Sequence, residues 1–256
     1  MVRLMVQVER LRFAIGEKLI LRGIDARFEP CRIHGIIGPN GSGKSTFLKN
    51  LCRIWQPQQG TVLIDGVNAL SVPRKELSKM VTLVPQNTQI NFPISVHDIV
   101  AMGRHPHLGR FQPFTKHDRE IIAQALAATQ IEDLKDRKIN ELSGGEGQLA
   151  IIARALATEA ALILLDEPTS ELDIKHKLTI MELLLALKAQ GKTILITIHD
   201  LNAARRYCDT ISIFQQGALF YRGSPAEAFS PANMRTVFAV NVTEITQDRM
   251  HFLHFY

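Results

Sequence analysis

The chain has 256 residues, 46% of them apolar and 21% charged, with a formal net charge of +5. At about 150 residues per domain this is one large or two small domains with an ordinary core, which excludes a disordered chain. No apolar run nears the ~18 residues that cross a bilayer. Met1 to Arg12 alternate apolar and charged side chains, so no export signal is expected either.

Cys31, Cys52 and Cys208 are odd in number and far apart, and read as reduced thiols in a reducing compartment. Lys and Arg are scattered among acids without a long run, so direct nucleic-acid binding is not expected.

Taken in chain order, residues 4–13 and 18–28 alternate as strands do, with Gly16 at the turn, and predict an N-terminal antiparallel patch. Ile33 to Ile37 reads as a buried strand and Phe47 to Cys52 as a helix. Between them Gly38-Pro39-Asn40-Gly41-Ser42-Gly43-Lys44-Ser45-Thr46 matches G-x-x-x-x-G-K-[ST]. Such a loop cradles phosphate: its glycines let successive N–H groups converge, and the helix start adds its own bare N–H groups and dipole. Lys44 is expected on the β- and γ-phosphates, Ser45 as the protein ligand of Mg²⁺, and Thr46 near the α-phosphate.

Residues 56–60 then read as a turn, 61–66 as a strand with an Asp-Gly end, 71–80 as a surface helix and 81–84 as a buried strand. Gln86 lies beyond the carboxyl end of that last strand, where α/β folds bind ligands. From 87 to about 158 the pattern is helical, near 95–103, 115–130 and 146–158, and reads as a subdomain inserted between core strands. His105, His107 and His117 have no Cys or acid beside them at ligand spacing. Residues 103–111 (GRHPHLGRF) are therefore expected to form a solvated or partner-facing loop.

Leu142-Ser143-Gly144-Gly145-Glu146 opens a helix that Ser143 can cap, with two glycines leaving N–H groups bare, a second potential anion site. Ala161 to Asp166 is a continuous apolar run, the pattern of a strand buried on both faces, and it ends in Asp166-Glu167. Adjacent carboxylates there need a metal or donors. The first suits a Mg²⁺ shell and the second a general base on water. A helix at 172–190, a buried strand from Thr193 to Ile198 ending at His199-Asp200, and a helix at 201–207 follow. Strands at 210–214 and 218–221, helices at 225–229 and 231–238, and terminal strands complete the tail.

The loop 38–46, VPQ at 84–86, LSGGE at 142–146, ALILLDEP at 161–168, SELD at 170–173 and His199 stand in the order and spacing of the ATP-binding-cassette (ABC) ATPases, which the chain resembles over nearly its whole length. The resemblance implies an α/β P-loop NTPase (RecA-like) core with an N-terminal antiparallel β subdomain, residues 1–86 and 159–256, and an inserted helical subdomain, 87–158. It implies ATP and Mg²⁺ as cofactors, the metal held by Ser45, Gln86 and Asp166. Lys44, Gln86, Glu167 and His199 carry the catalytic roles, with Glu167 as base and His199 near the γ-phosphate. Ser143, Gly144, Gly145 and Glu146 would meet the nucleotide of an opposite subunit and Asp173 the seam, so two chains would enclose two ATP molecules head to tail.

The segments 103–111, 199–209 and 223–242 are similar to the subgroup that powers import of iron-siderophore, haem and cobalamin. That implies a homodimer on transmembrane permease subunits, a substrate-binding protein, and a peripheral place on the cytoplasmic face of the cell membrane. The motifs themselves do not separate import from export, and a metal-ion or oxyanion cargo stays open. The alternatives are a soluble ABC-type ATPase acting on nucleic acid, which generally carries coiled coils or a duplicated cassette not seen here, and a non-enzymatic ATP-binding regulator. Where the family has an adenine-stacking aromatic the chain has Ile15, with Phe13 two positions earlier, and either could contact the base. Gly147 and Leu149 stand where basic residues are usual.

Overall fold

The computed structural model describes residues 5–86, 90–247 and 250–256. The first residue of the expected strand 4–13 and the start of the expected helical segment at 87 lie outside them. Strand β1 (Val6–Ile15) turns at Gly16 into β2 (Lys18–Phe28), its antiparallel partner, with Ile15 opposite Lys18. Strand β3 (Ile33–Ile37) is buried along its whole length and feeds helix α1 (Lys44–Leu51). Strand β4 (Gln59–Ile64) returns beside β1, and after the Asp65–Gly66 turn β5 (Val67–Asn68) closes a four-stranded sheet ordered β2-β1-β4-β5.

Helix α2 (Arg74–Met80) runs into β6 (Val81–Val84). Helices α3 (Val96–Ala101), α4 (Lys116–Ala128) and α5 (Gly144–Leu156) follow. Each of these three starts where a hydroxyl, from Ser95, Thr115 or Ser143, accepts the N–H three residues on. Then come β7 (Leu162–Asp166), α6 (Ile174–Ala189), β8 (Thr193–Thr197), α7 (Leu201–Tyr207), β9 (Thr210–Gln215) and β10 (Ala218–Gly223). They complete a six-stranded sheet ordered β10-β9-β3-β8-β7-β6, parallel except for β10. The tail is α8 (Pro225–Ala228), α9 (Pro231–Phe238) and a hairpin of β11 (Val242–Gln247) and β12 (Met250–Phe255).

The continuous apolar runs are explained by packing on both faces of the large sheet. Leu162 and Leu164 of β7 join a core with the antiparallel sheet and α1. Ile163 and Leu165 point the other way, into a core with α3, α4, α5 and α6. Each fully buried aliphatic chain contributes roughly 1.5–3 kcal/mol. The hairpin is fastened to α7 by Asn202, whose Oδ1 accepts from Leu253 N–H (2.6 Å) and whose Nδ2 donates to the Leu253 carbonyl (3.2 Å).

The segment 103–111 departs in its first half from the solvated or partner-facing loop expected of it. Helix α3 stops at Ala101, and Met102–His107 continues as a 3-10 turn with Gly103 and Arg104 buried. Arg104 Nε donates to Asp118 Oδ1 (2.9 Å), and its Nη1 to Ala157 O (2.8 Å) and Glu159 Oε2 (2.6 Å). His107 Nε2 bonds the Thr158 carbonyl at 2.9 Å. A buried guanidinium needs acceptors on all sides, and acceptors far along the chain draw this half of the segment inward. His105 and Gly109 to Phe111 remain exposed.

A candidate nucleotide site

The loop between β3 and α1 takes its shape from its glycines. Gly43 caps α1 in the left-handed region, at φ +102°, and a Cβ at Gly38 would overlap the Phe214 carbonyl. Lys44 is buried, and its Nζ donates to the carbonyls of Gly38 (2.9 Å) and Pro39 (3.3 Å). Burial pulls its pKa below the ordinary lysine value, against the opposing charges of Glu167 and Asp166. An open cleft lies over the loop, lined by Asn40 to Thr46 with Lys18, Ile20, Gln86, Glu167 and His199. Of the expected catalytic residues, Lys44, Gln86, Glu167 and His199 therefore share one cavity.

The paired acids are well supplied with donors. Asp166, buried at the end of β7, accepts at Oδ1 from Ser45 Oγ (2.9 Å) and Thr197 Oγ1 (2.8 Å). Glu167 takes a left-handed φ of +50° that turns its side chain into the cleft, and its N–H donates to Thr197 Oγ1 (2.8 Å). Its carboxylate is held at both oxygens, Oε2 by Gln86 Nε2 (2.7 Å) and Oε1 by His199 Nε2–H (2.5 Å). Ser45 Oγ and Asp166, joined at 2.9 Å, are hard oxygen donors of the kind that suits Mg²⁺, and Gln86 lines the same cleft as Ser45. Thr197 was not singled out from sequence. The signal was a hydroxyl in the otherwise apolar run ILIT, where a buried polar group requires partners.

Ser143 to Glu146 do not line this cleft. Ser143 caps α5 in a reciprocal box. Its Oγ accepts from Glu146 N–H (3.3 Å) and donates to Glu146 Oε2 (2.7 Å), and its own N–H donates to that oxygen (2.8 Å). These bonds hold the Glu146 carboxyl below its usual range. The two unusual positions leave α5 intact: Gly147 faces open space and Leu149 is part of the core. Asp173 caps α6, accepting from His176 N–H (2.9 Å).

Phe13 is removed from the choice of base-contacting residue. It is only 7% exposed and stacks on Trp55, ring centroids 5.4 Å apart and planes 2° from parallel, with Lys49 Nζ over the other ring. Ile15 is 54% exposed and sits opposite Lys18, which lines the cleft.

The family model for ABC transporters matches residues 21–170, more than half of the chain. The chain belongs to the ABC transporter family. It is accordingly an ATP-binding ATPase coupled to transport. The iron(3+)-hydroxamate import ATP-binding protein of Bacillus subtilis (strain 168) is 36% identical over 245 residues, 95% of this chain and 91% of that protein. The hemin import ATP-binding protein of Pseudomonas aeruginosa is 36% identical over 244 residues, 93% of this chain and 94% of that protein. Among solved structures, a metal-chelate type ABC transporter in an inward-facing conformation superposes with a TM-score of 0.85 at 30% identity, covering 99% of this chain and 97% of that one. The P-loop NTPase fold expected of an ABC ATPase is the fold observed, and among the described residues no helix is long and apolar enough to cross a membrane.

Proposed function

We propose that this ABC ATPase is the motor of an importer for iron-siderophore, haem or cobalamin. It works as a homodimer on the cytoplasmic face of the cell membrane, held there by transmembrane permease subunits, with a substrate-binding protein in the assembled importer. The observation that carries the motor reading is the Glu167 carboxylate, clasped by Gln86 and His199 at the mouth of the phosphate loop. In this reading Glu167 accepts the proton of the attacking water, and His199 and Gln86 fix its orientation. Lys44 exchanges its two loop carbonyls for β- and γ-phosphate oxygens, where its charge opposes the charge that develops during transfer. Ser45, Asp166 and Gln86 would hold Mg²⁺, which when bound would withdraw charge from the phosphate oxygens.

The Ser143–Glu146 turn lies outside the cleft of its own chain, which favours a site completed by a second copy. In the same reading residues 87–158 form the helical body that carries this turn, and 1–86 with 159–256 form the catalytic core. Asp173 then lies at the seam. The cargo rests on likeness to the hydroxamate and hemin relatives.

Glu167→Gln tests the motor. It is expected to keep ATP affinity, to lower turnover by about a hundredfold or more, and to accumulate dimers with ATP. Parental turnover in that variant would remove the base assignment. Co-purification with a permease, then cargo-stimulated ATP hydrolysis, tests the cargo.

A further inference from the structure

The turn that opens α5 and the turn that opens α6 belong to different motifs, yet one side chain spans them. His176, in the first turn of α6, has a largely buried side chain whose Nδ1–H donates to both Asp173 oxygens at 2.9 Å. Its backbone N–H donates to Asp173 Oδ1 as well, also at 2.9 Å. The backbone N–H first, and the imidazole next, hold the Asp173 carboxyl below its usual range. The same ring lies against Gly145: a Cβ there would come within 2.6 Å of His176 Nδ1 and closer still to the ring carbons. Residue 145 is a glycine at a position that a histidine from another helix already fills. Among the described residues no hydrogen bond runs directly between residues 143–146 and 170–173, and the His176 ring touches both.

We propose that His176 is a positioning residue that ties Asp173 to Gly145, so that the two turns meet the opposite chain as one surface. The assignment rests on the two-chain reading above. Ring contact fixes how closely the α5 turn approaches α6, and the bond to Asp173 fixes the ring. A shift of either turn by about 1 Å is enough to cost on the order of a hundredfold in a positioned reaction.

The test compares His176→Ala, His176→Phe and His176→Asn in the full chain. Turnover is measured with Glu167 intact, and ATP-driven pairing by light scattering in the Glu167→Gln background. The expected result for His176→Ala is a kcat lower by roughly ten- to a hundredfold and a similar rise in the ATP concentration needed for pairing. The Kd of the single chain for ATP should stay parental, because the cleft at 38–46 is untouched. His176→Phe keeps a ring against Gly145 and loses only the donor, and should show a smaller loss of the same kind in a folded protein. His176→Asn returns a donor near the Nδ1 position and should recover part of the pairing. Parental pairing in all three variants overturns the assignment, and so does an ATP Kd that weakens in step with pairing. If Glu167→Gln alone does not pair, the two-chain reading itself fails and takes this assignment with it.

Discussion

Ser45 Oγ donates a 2.9 Å hydrogen bond to Asp166 Oδ1, joining the first turn of α1 to the end of β7. The bond brings together the two motifs expected to share Mg²⁺, and Thr197 completes it by donating to the same oxygen.

Thr197→Val removes that second donor and the acceptor for Glu167 N–H in one step. The orphaned N–H should lower stability by about 1–3 kcal/mol. Turnover should fall about tenfold or more as Glu167 loses its anchor. Urea midpoints at constant m-value and steady-state ATP hydrolysis check both, and parental values in both assays would show the hydroxyl to be idle.

Ile15→Tyr places an aromatic face beside Lys18 at the edge of the cleft. If Ile15 meets the base, stacking should tighten ATP binding about two- to tenfold, the equivalent of ~0.5–1.5 kcal/mol. Phe13→Leu should instead reduce stability and leave affinity alone, because Phe13 packs on Trp55. Fluorescent-nucleotide competition on both variants distinguishes the two positions.

Arg104→Leu should be among the most damaging changes far from the cleft. Removing the guanidinium strands the buried Asp118 carboxylate, and one-sided loss of a buried ion pair costs about 3–5 kcal/mol. Arg104→Lys should rescue little, since a single ammonium cannot replace a fork that reaches Asp118, Ala157 and Glu159 together. Guanidinium unfolding midpoints give the answer.

His34 should make stability depend on pH. Its Nε2–H donates to Glu29 O (2.8 Å), so Nδ1 accepts from Thr210 Oγ1 (2.7 Å), and burial pushes its pKa down to about 4. The unfolded chain, with a histidine pKa near ~6.5, takes up a proton that the folded chain refuses. Stability is therefore fully present above about pH 6.5 and falls as the pH drops towards 4, by about 2 kcal/mol between pH 7 and 5. His34→Gln should flatten this slope in urea titrations at the two pH values. An unchanged slope would show that other groups carry it.

The phosphate loop, the two acids and the α5 cap were legible because their chemistry is local: glycines, a lysine and a hydroxyl at fixed spacing predict a shape without the rest of the chain. The strands of the large sheet were legible for a related reason, since burial on both faces leaves an unbroken apolar run such as Leu162 to Leu165. Arg104 was not, because the acids that draw it inward lie 14 and 55 positions away and look like ordinary surface charges in sequence. His176 was missed similarly. Three residues after Asp173 it reads as one more polar residue at a helix start, and only the meeting of α5 and α6 gives its ring a neighbour. Phe13 and Ile15 looked interchangeable because residues two apart share a face of a regular strand, but the register shifts after Phe13, and Phe13 is buried while Ile15 is left in solvent.

The clamp of Asn202 on Leu253 has a mechanical consequence. Asn202 is in the first turn of α7, three residues beyond His199, so the β11–β12 hairpin is tied to the fold close in sequence to the histidine. A load on this hairpin would be felt through one amide, three residues from a side chain of the proposed catalytic clasp.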